Sequence, residues 1–258
     1  MKKTLITVAM ALLFTSTVEA HRIHKAKVQP IPTFSAKSFL IADSDGLILR
    51  EQEGETVRPI ASISKLMVAL LAAEQDLTEQ LGIPTTRAVQ STIPRKTSTM
   101  SRKELLTLAL VHSDNFAAQI LCTNVPNCVE AMNDKALELG MVNTHYNEPT
   151  GLDRGNVSTA QDLLKLVIAA ATHPTITELS SMPKAEVETN GKVIKVNNTN
   201  PLTSKFSIIL SKTGYTNPAG GCLVMMMNSD VGQRILILLG SKNAHTRIPD
   251  MERLVKGL

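Results

Sequence analysis

The sequence predicts an α+β fold in which one antiparallel sheet is assembled from both ends of the chain. Two strand-like runs lie near the start, a long helix-rich stretch follows, and three more strand-like runs lie near the end. Such segregation of strands and helices favours a sheet with helices packed against it, rather than separate repeats. We therefore expect a five-stranded antiparallel sheet and an inserted helical lobe over about residues 63–172.

The chain begins with the features of a secretory signal over residues 1–20. Two lysines precede an apolar run, Leu5–Phe14, and Val18-Glu19-Ala20 is a small-residue cleavage site. The run is short for a bilayer span, so a membrane anchor is the less favoured alternative. Cleavage would leave a single domain, residues 21–258, with no later transmembrane segment and with a basic, proline-containing leader over residues 21–35.

The first structural elements after the leader are a hairpin and a helix. Ala36–Ile41 and Leu47–Arg50 flank the turn residues Asp43-Ser44-Asp45-Gly46, and Asp-Gly between such runs predicts a β-hairpin. Pro59 ends an extended stretch. Ile63–Ala73 is rich in Leu, Met and Ala and predicts the first helix.

Four more helices are marked by their start and stop signals. Ser101 and Glu104 form a capping box. Asp114 and Thr159 are N-cap residues, and Gly140 stops a helix. These signals predict helices from Ser101 to about Val111, over Asn115–Leu121, over Val129–Leu139 and over Ala160–Ala171.

The C-terminal part consists of strand-like runs separated by turn residues. Phe206–Ser211, Gly221–Met227 and Arg234–Leu239 predict three strands, and Ile248–Leu258 predicts a closing helix. Two early and three late strands account for the five strands of the expected sheet.

Composition excludes several function classes. The 258 residues carry a formal charge of +4, aromatic residues make up 3%, and Trp is absent. With no dense Lys/Arg run, this composition argues against nucleic-acid binding. The mild positive charge suits an anionic envelope polymer, or simply solubility. His21 and His24 lie near each other, but no His-Glu-x-x-His or Cys-x-x-Cys pattern is present, so we expect no metal and no cofactor.

The three cysteines leave one pairing open. Cys122 and Cys128 lie close together around Pro126 and can pair in an oxidising compartment, or remain two half-buried thiols. Cys222 lies in an apolar run and is interpreted as a small core residue.

Three short motifs carry the chemistry: Ser62-Ile63-Ser64-Lys65, Ser113-Asp114-Asn115 and Lys212-Thr213-Gly214. In the first, the serine and the lysine share one face at a helix start, and serine needs such a nearby base to become a nucleophile. The second joins two predicted helices, so its serine can project into a cleft. The third follows an apolar run and is predicted to end a strand, with its glycine allowing a ligand backbone to approach.

Each motif alone has a purely structural explanation. Ser-x-x-Lys recurs at Ser181–Lys184, where Pro183 predicts a loop, and Ser-x-Asn recurs at Ser241–Asn243. The order and context of the three motifs together are what favour a catalytic site.

With these motifs the chain resembles the penicillin-binding serine D,D-peptidases, and within them the periplasmic D-alanyl-D-alanine endopeptidases of the penicillin-binding protein 7 type. The resemblance extends over nearly all of residues 21–258. It includes Arg58–Lys65, Ala136–Met141, Glu148–Leu152, Asn156–Ala160 and Lys212–Asn217. It implies the β-lactamase/transpeptidase-like fold, in which the site lies between the sheet edge and the helical part.

The resemblance also implies roles for the catalytic residues. Ser62 would attack a D-alanyl carbonyl, Lys65 would take its proton, and Ser113 would relay a proton to the leaving amine. We further expect the charge of Lys212 to disfavour a proton on Lys65, keeping that lysine a usable base.

The remaining implied residues bind substrate. Asn115 and Lys212 would hold and orient the site, and Thr213 would help bind the substrate carboxylate. Gly214 would let the substrate backbone approach closely, and the backbone N–H groups of Ser62 and Tyr215 would form an oxyanion hole. Peptidoglycan stem peptides are the implied substrates and β-lactams the implied covalent inhibitors. We expect a monomer in the periplasm.

Alternatives within the resemblance are a D-alanyl-D-alanine carboxypeptidase, a class A-like β-lactamase and a penicillin-sensing binding module. Glu148 occupies a position that suggests the β-lactamase glutamate, but Leu152 stands where those enzymes have asparagine. We interpret Glu148 as part of a loop that shapes the site. The chain ends soon after Lys212, which favours the endopeptidase over membrane-anchored carboxypeptidases.

Overall fold

A computed structural model describes residues 34–87 and 89–258 of the chain. Within these ranges the strands are β1 (Ser38–Asp43), β2 (Ile48–Gln52), β3 (Arg58–Pro59), β4 (Gln80–Gly82), β5 (Thr99–Ser101), β6 (Val157–Ser158), β7 (Lys184–Thr189), β8 (Lys192–Asn197), β9 (Ile208–Thr216), β10 (Gly220–Ser229) and β11 (Gly232–Ser241). The α-helices of the same ranges are α1 (Ser64–Ala73), α2 (Arg102–Val111), α3 (Asn115–Thr123), α4 (Cys128–Glu138), α5 (Ala160–Ala171), α6 (Pro174–Ser181) and α7 (Arg247–Lys256). The predicted signal and the histidines at 21 and 24 lie outside the described residues.

The five-stranded antiparallel sheet is confirmed, with strand order β2-β1-β11-β10-β9. The N-terminal hairpin joins the C-terminal strands through β1 and β11, where Phe39 lies opposite Leu238. β9 pairs only with β10 in this sheet, so its other edge is free, and β9 packs against α6. This free edge is where the third motif lies.

Alternation along the strands gives the sheet two apolar faces. In β1, Leu40 and Ala42 belong to the large cluster shared with the helical lobe. Phe39 and Ile41 belong to a smaller cluster on the other face, which is covered by Met251 and Leu254 of α7. Helices therefore shield both faces of the sheet.

Helix starts agree closely with the predicted caps. Ser101 accepts a hydrogen bond from the Glu104 amide, and the Glu104 side chain completes the capping box. The carboxylate of Asp114 accepts from the Ala117 amide, and the hydroxyl of Thr159 accepts from the Asp162 amide. Each cap satisfies amides that the first helical turn leaves without partners.

The structure corrects the predicted end of β9. This strand runs to Thr216, so Lys212-Thr213-Gly214 lies inside the strand and not at its end. Pairing with β10 continues past the glycine, since Gly214 lies opposite Cys222 and Tyr215 lies opposite Gly221. A glycine inside a strand thus marks close packing here instead of a stop.

The sequence prediction also lacked α6 and the β7–β8 hairpin. The second Ser-x-x-Lys copy, predicted as a loop, joins these elements: Ser181 ends α6 and Lys184 begins β7. Within the described ranges, no helix is both long enough and apolar enough to cross a membrane.

Candidate active site

The candidate nucleophile lies in a short 3-10 turn, Ala61–Ile63, that leads directly into α1. Ala61 has a left-handed φ of 48°, an unusual conformation for a residue with a β-carbon. Ser62 is the middle residue of this turn, and Lys65 is the second residue of α1. The turn therefore places Ser62 and Lys65 about one helical turn apart at the N-terminus of α1.

Lys65 is fully buried and makes three hydrogen bonds. Its Nζ donates to Ser62 Oγ at 2.8 Å and to Asn115 Oδ1 at 2.7 Å. The third acceptor is the carbonyl oxygen of Thr150 at 2.5 Å. One amine thus joins the nucleophile turn, the second motif and the loop before β6.

Burial lowers the pKa of Lys65 to about 7, although the carboxylates of Glu148 and Asp114 act in the opposite direction. A buried ammonium loses its hydration, and this loss favours the neutral amine. A neutral amine beside Ser62 Oγ can accept the hydroxyl proton, so Lys65 is suited to be the general base near neutral pH.

The second serine and the second lysine form a matching pair. Lys212 Nζ donates to Ser113 Oγ at 2.7 Å and to the Thr213 carbonyl oxygen at 3.0 Å. Ser113 has a left-handed φ of 61° between α2 and α3. Strained backbone at such a position is typical of functional sites. The structure therefore brings all three motifs into one cluster.

Burial also lowers the pKa of Lys212 well below its ordinary value, and the nearby charges of Lys65 and Arg247 add to this effect. For Lys65, burial is the largest cause of the lowered pKa. Desolvation therefore dominates for both amines, and the expected repulsion between Lys65 and Lys212 is a smaller cause that lowers the pKa of Lys212.

Two glycines allow backbone segments to press against the nucleophile turn. A β-carbon at Gly214 would lie 2.8 Å from the Ile60 carbonyl oxygen and 3.1 Å from the Ser62 amide nitrogen. At Gly151, with φ at +80°, it would lie 1.9 Å from the Ala61 carbonyl oxygen. Gly214 therefore serves contact with the protein's own backbone, in addition to the ligand approach that the sequence suggests.

Glu148 holds its own loop together. Its carboxylate accepts hydrogen bonds from the Thr150 amide at 2.7 Å, the Thr150 hydroxyl at 2.5 Å and the Gly151 amide at 2.5 Å. These bonds fix the Thr150 carbonyl that Lys65 contacts. The interpretation of Glu148 as a loop-shaping residue agrees with this geometry.

Asp114 ties the second motif to an adjacent loop. Its buried carboxylate caps α3 and also accepts from the Thr92 amide at 2.7 Å and from the hydroxyls of Ser91 and Thr92. The loop over residues 90–92 therefore forms a wall beside Ser113 and Asn115.

Three contributors to the site were missed at the sequence level. Thr150 contributes only its carbonyl, and any residue type could do so. Thr199 follows the unpredicted hairpin, and its hydroxyl lies 2.6 Å from the hydroxyl of Thr213. Arg247 of α7 donates to the Gly214 carbonyl oxygen at 2.9 Å. Among these three, only Arg247 carries a chemical signal, a cation near the end of the chain.

Tyr215 extends the third motif at the cleft surface. Its ring is partly exposed, and its hydroxyl donates to Asn217 Oδ1 at 2.9 Å.

The cysteine pairing that the sequence leaves open is present in the structure. At the edge of the helical lobe, Cys122 and Cys128 form a disulfide with a Cα–Cα distance of 5.4 Å. Cys222 is a buried free thiol, as its apolar run predicts.

Solved structures share this fold. The crystal structure of penicillin-binding protein D2 from Listeria monocytogenes in its ampicillin-bound form has a TM-score of 0.80 and 30% identity, covering 88% of this chain and 99% of that one. The likeness, together with the five-stranded sheet and its helices, defines the penicillin-binding, D,D-peptidase class of fold.

Sequence comparisons are more specific. A D-alanyl-D-alanine endopeptidase of Pseudomonas aeruginosa is 36% identical over 98% of this chain and 87% of its own length. One of Escherichia coli K12 is 38% identical over 86% of this chain and 77% of its own length. The D-alanyl-D-alanine carboxypeptidase family model matches residues 24–243. The chain belongs to this family and is a serine-type D,D-peptidase.

Proposed function

We propose that the protein is a periplasmic D-alanyl-D-alanine endopeptidase that hydrolyses D-alanyl–diaminopimelate cross-links of peptidoglycan through a serine acyl-enzyme. The observation that carries this proposal is the contact between Lys65 Nζ and Ser62 Oγ at 2.8 Å, made by a buried lysine whose pKa is lowered to about 7.

In the acylation step, neutral Lys65 takes the proton of Ser62 as Oγ attacks the carbonyl carbon of the D-alanyl residue. Negative charge then develops on the carbonyl oxygen. The amides of Ser62 and Tyr215 would stabilise this charge, since Gly214 brings the strand edge against the Ser62 amide. Collapse of the tetrahedral intermediate breaks the bond to the leaving amine.

The leaving amine needs a proton, and Ser113 is the donor that the geometry favours. Ser113 relays to the amine the proton that Lys65 took from Ser62, and Lys212, which donates a hydrogen bond to the Ser113 hydroxyl, orients that hydroxyl. Thr213, whose hydroxyl lies 2.6 Å from that of Thr199, would bind the carboxylate of the leaving residue. Water then attacks the acyl-enzyme and regenerates Ser62.

Several observations support the substrate and the compartment. Both relatives described above carry the name endopeptidase. The Cys122–Cys128 disulfide is typical of proteins in an oxidising compartment, as the periplasm is. The related Listeria protein binds ampicillin, and we propose that β-lactams likewise acylate Ser62.

The substrate test offers purified cross-linked muropeptide dimers and free pentapeptide side by side. An endopeptidase yields monomers from the dimer faster than D-alanine from the pentapeptide. Ser62→Ala should abolish both reactions and the covalent adduct with labelled penicillin. An adduct that persists in Ser62→Ala would refute the nucleophile assignment.

A second candidate, a D-alanyl-D-alanine carboxypeptidase, is favoured by the family description and by a Mycobacterium tuberculosis carboxypeptidase at 32% identity over 74% of this chain. Preferential release of D-alanine in the same experiment would select it. The β-lactamase alternative is disfavoured because the Glu148 carboxylate is occupied by its own loop.

A further inference from the structure

A cavity of about 260 Å³ lies beside the catalytic cluster, between the 90–92 loop and the second motif. Its walls are Gln90, Ser91, Thr92, His112, Ser113, Asp114 and Asn115. The volume lies below the range of sites that hold whole drug-sized ligands, so it suits one residue-sized group. The mechanism described above uses only the edge that Ser113 and Asn115 form.

Asp114 holds the 90–92 loop, one wall of this cavity, in place. The hydroxyls of Ser91 and Thr92 both bond to its buried carboxylate, so these groups face inward to the protein. Because the buried charge is satisfied by several donors, the wall does not repel an anionic group as an exposed carboxylate would.

Two side chains that line the cavity are available to contact a ligand. Among the described residues, the Gln90 amide has no hydrogen-bond partner, and its side chain is exposed. His112 has one ring nitrogen 3.4 Å from the Asn197 carbonyl oxygen, which leaves the other nitrogen for a ligand. An amide and an imidazole offer donors and acceptors to the peptide N–H and carbonyl groups of a second amino-acid centre.

The position of Ser113 indicates which part of the substrate enters. If Ser113 protonates the leaving amine and Thr213 holds the neighbouring carboxylate, the side chain of the leaving residue projects over Ser113. In a terminal D-alanine this side chain is a methyl group. In a cross-link it is a three-methylene chain that ends in the second amino-acid centre of diaminopimelate.

We propose that this cavity is the subsite for the distal end of the diaminopimelyl leaving residue, with Gln90 and His112 as its specificity-determining side chains. The proposal rests on the endopeptidase function proposed above. Loss of a hydrogen bond to a polar or charged group lowers affinity about tenfold. The cavity would therefore select cross-links over chain ends, because only a cross-link fills it.

The test compares three reactions of the full-length enzyme: dimer cleavage, D-alanine release from pentapeptide, and acylation by penicillin. Gln90→Ala and His112→Ala should each lower kcat/KM for the dimer about tenfold, while the other two rates stay within about twofold. The matched control is Gln75→Ala, an exposed glutamine that lies just after α1. It should leave all three rates unchanged.

Outcomes separate this proposal from the endopeptidase function. A wild-type enzyme that is acylated by penicillin but does not cleave the dimer refutes the endopeptidase function. A wild-type enzyme that cleaves the dimer with both variants unaffected refutes the subsite alone. An equal loss in all three reactions would show a structural role for these residues and would also overturn the subsite.

Discussion

The rate of serine acylation should follow the titration of Lys65. Its pKa of about 7 means that the neutral amine, the form that accepts the Ser62 proton, is about half populated at neutral pH. The neutral fraction is about one-tenth at pH 6 and about nine-tenths at pH 8. The second-order rate constant for acylation should thus rise about tenfold over this range and then reach a plateau.

An unperturbed lysine predicts a different profile. With an ordinary pKa near 10.5, the neutral fraction would rise about a hundredfold from pH 6 to pH 8 and would keep rising to pH 10. The assay measures labelling by a fluorescent penicillin from about pH 5.5 to pH 9.5, where the penicillin carboxylate does not titrate. A log-rate slope of one through pH 9, or a flat profile, refutes the assignment of Lys65 as a base of lowered pKa.

A variant sharpens this prediction. The Glu148 carboxylate raises the pKa of Lys65, so Glu148→Gln should move the midpoint of the profile to lower pH. The control is Glu138→Gln on α4, whose carboxylate does not contribute to the pKa of Lys65. A midpoint that stays in place or moves upward in Glu148→Gln would contradict the electrostatic argument.

Three further predictions concern stability. Between pH 7 and 9 the unfolded chain binds a proton at Lys65 that the folded one has released, so unfolding free energy should rise with pH by about 2 kcal/mol more in wild type than in Lys65→Met, measured by urea denaturation at each pH. Gly151→Ala should lower the rate of acylation more than tenfold and lower the free energy of unfolding by about 2 kcal/mol or more. The control is Gly191→Ala: Gly191 has a similar φ of +68° but open space around it, so this change should cost only about 1 kcal/mol, measured by thermal unfolding. Reduction of the Cys122–Cys128 disulfide should lower the free energy of unfolding by about 2 kcal/mol in the same assay. The variant with both cysteines replaced by serine has no disulfide to lose, so an equal loss in it on adding reductant would contradict the disulfide as the origin of the effect.

Local signals predicted most of the helices because each cap is decided by a few neighbouring residues. The Ser101 capping box and the caps at Asp114 and Thr159 are contacts over two or three residues, and all three are present. The β7–β8 hairpin had a comparable local signal, Asn190-Gly191 between alternating runs, and was nonetheless missed. That element was predictable with the same reasoning.

The rest of the site depends on contacts that no local pattern encodes. Lys212-Thr213-Gly214 looks like a strand end because glycine and a following polar stretch usually stop strands, but pairing with β10 carries β9 onward. The Thr150 carbonyl contacts Lys65 across 85 positions of sequence, and its side-chain type gives no hint of this. Whether a lysine is charged depends on burial, and burial is known only from the folded structure.

The pairing of β1 with β11 has a consequence for when the protein can react. The hydrogen bond between Lys212 and Ser113 spans 99 positions, and the strand that holds Lys212 is joined to the N-terminal hairpin through β10 and β11. A contact of such long range cannot form until both segments have been synthesised, and closing the loop between them costs entropy. A chain that is still being synthesised lacks the strand lysine, so its active site is incomplete. Penicillin labelling of nascent chains would therefore report when folding is complete, because only a chain with an assembled site forms the covalent adduct.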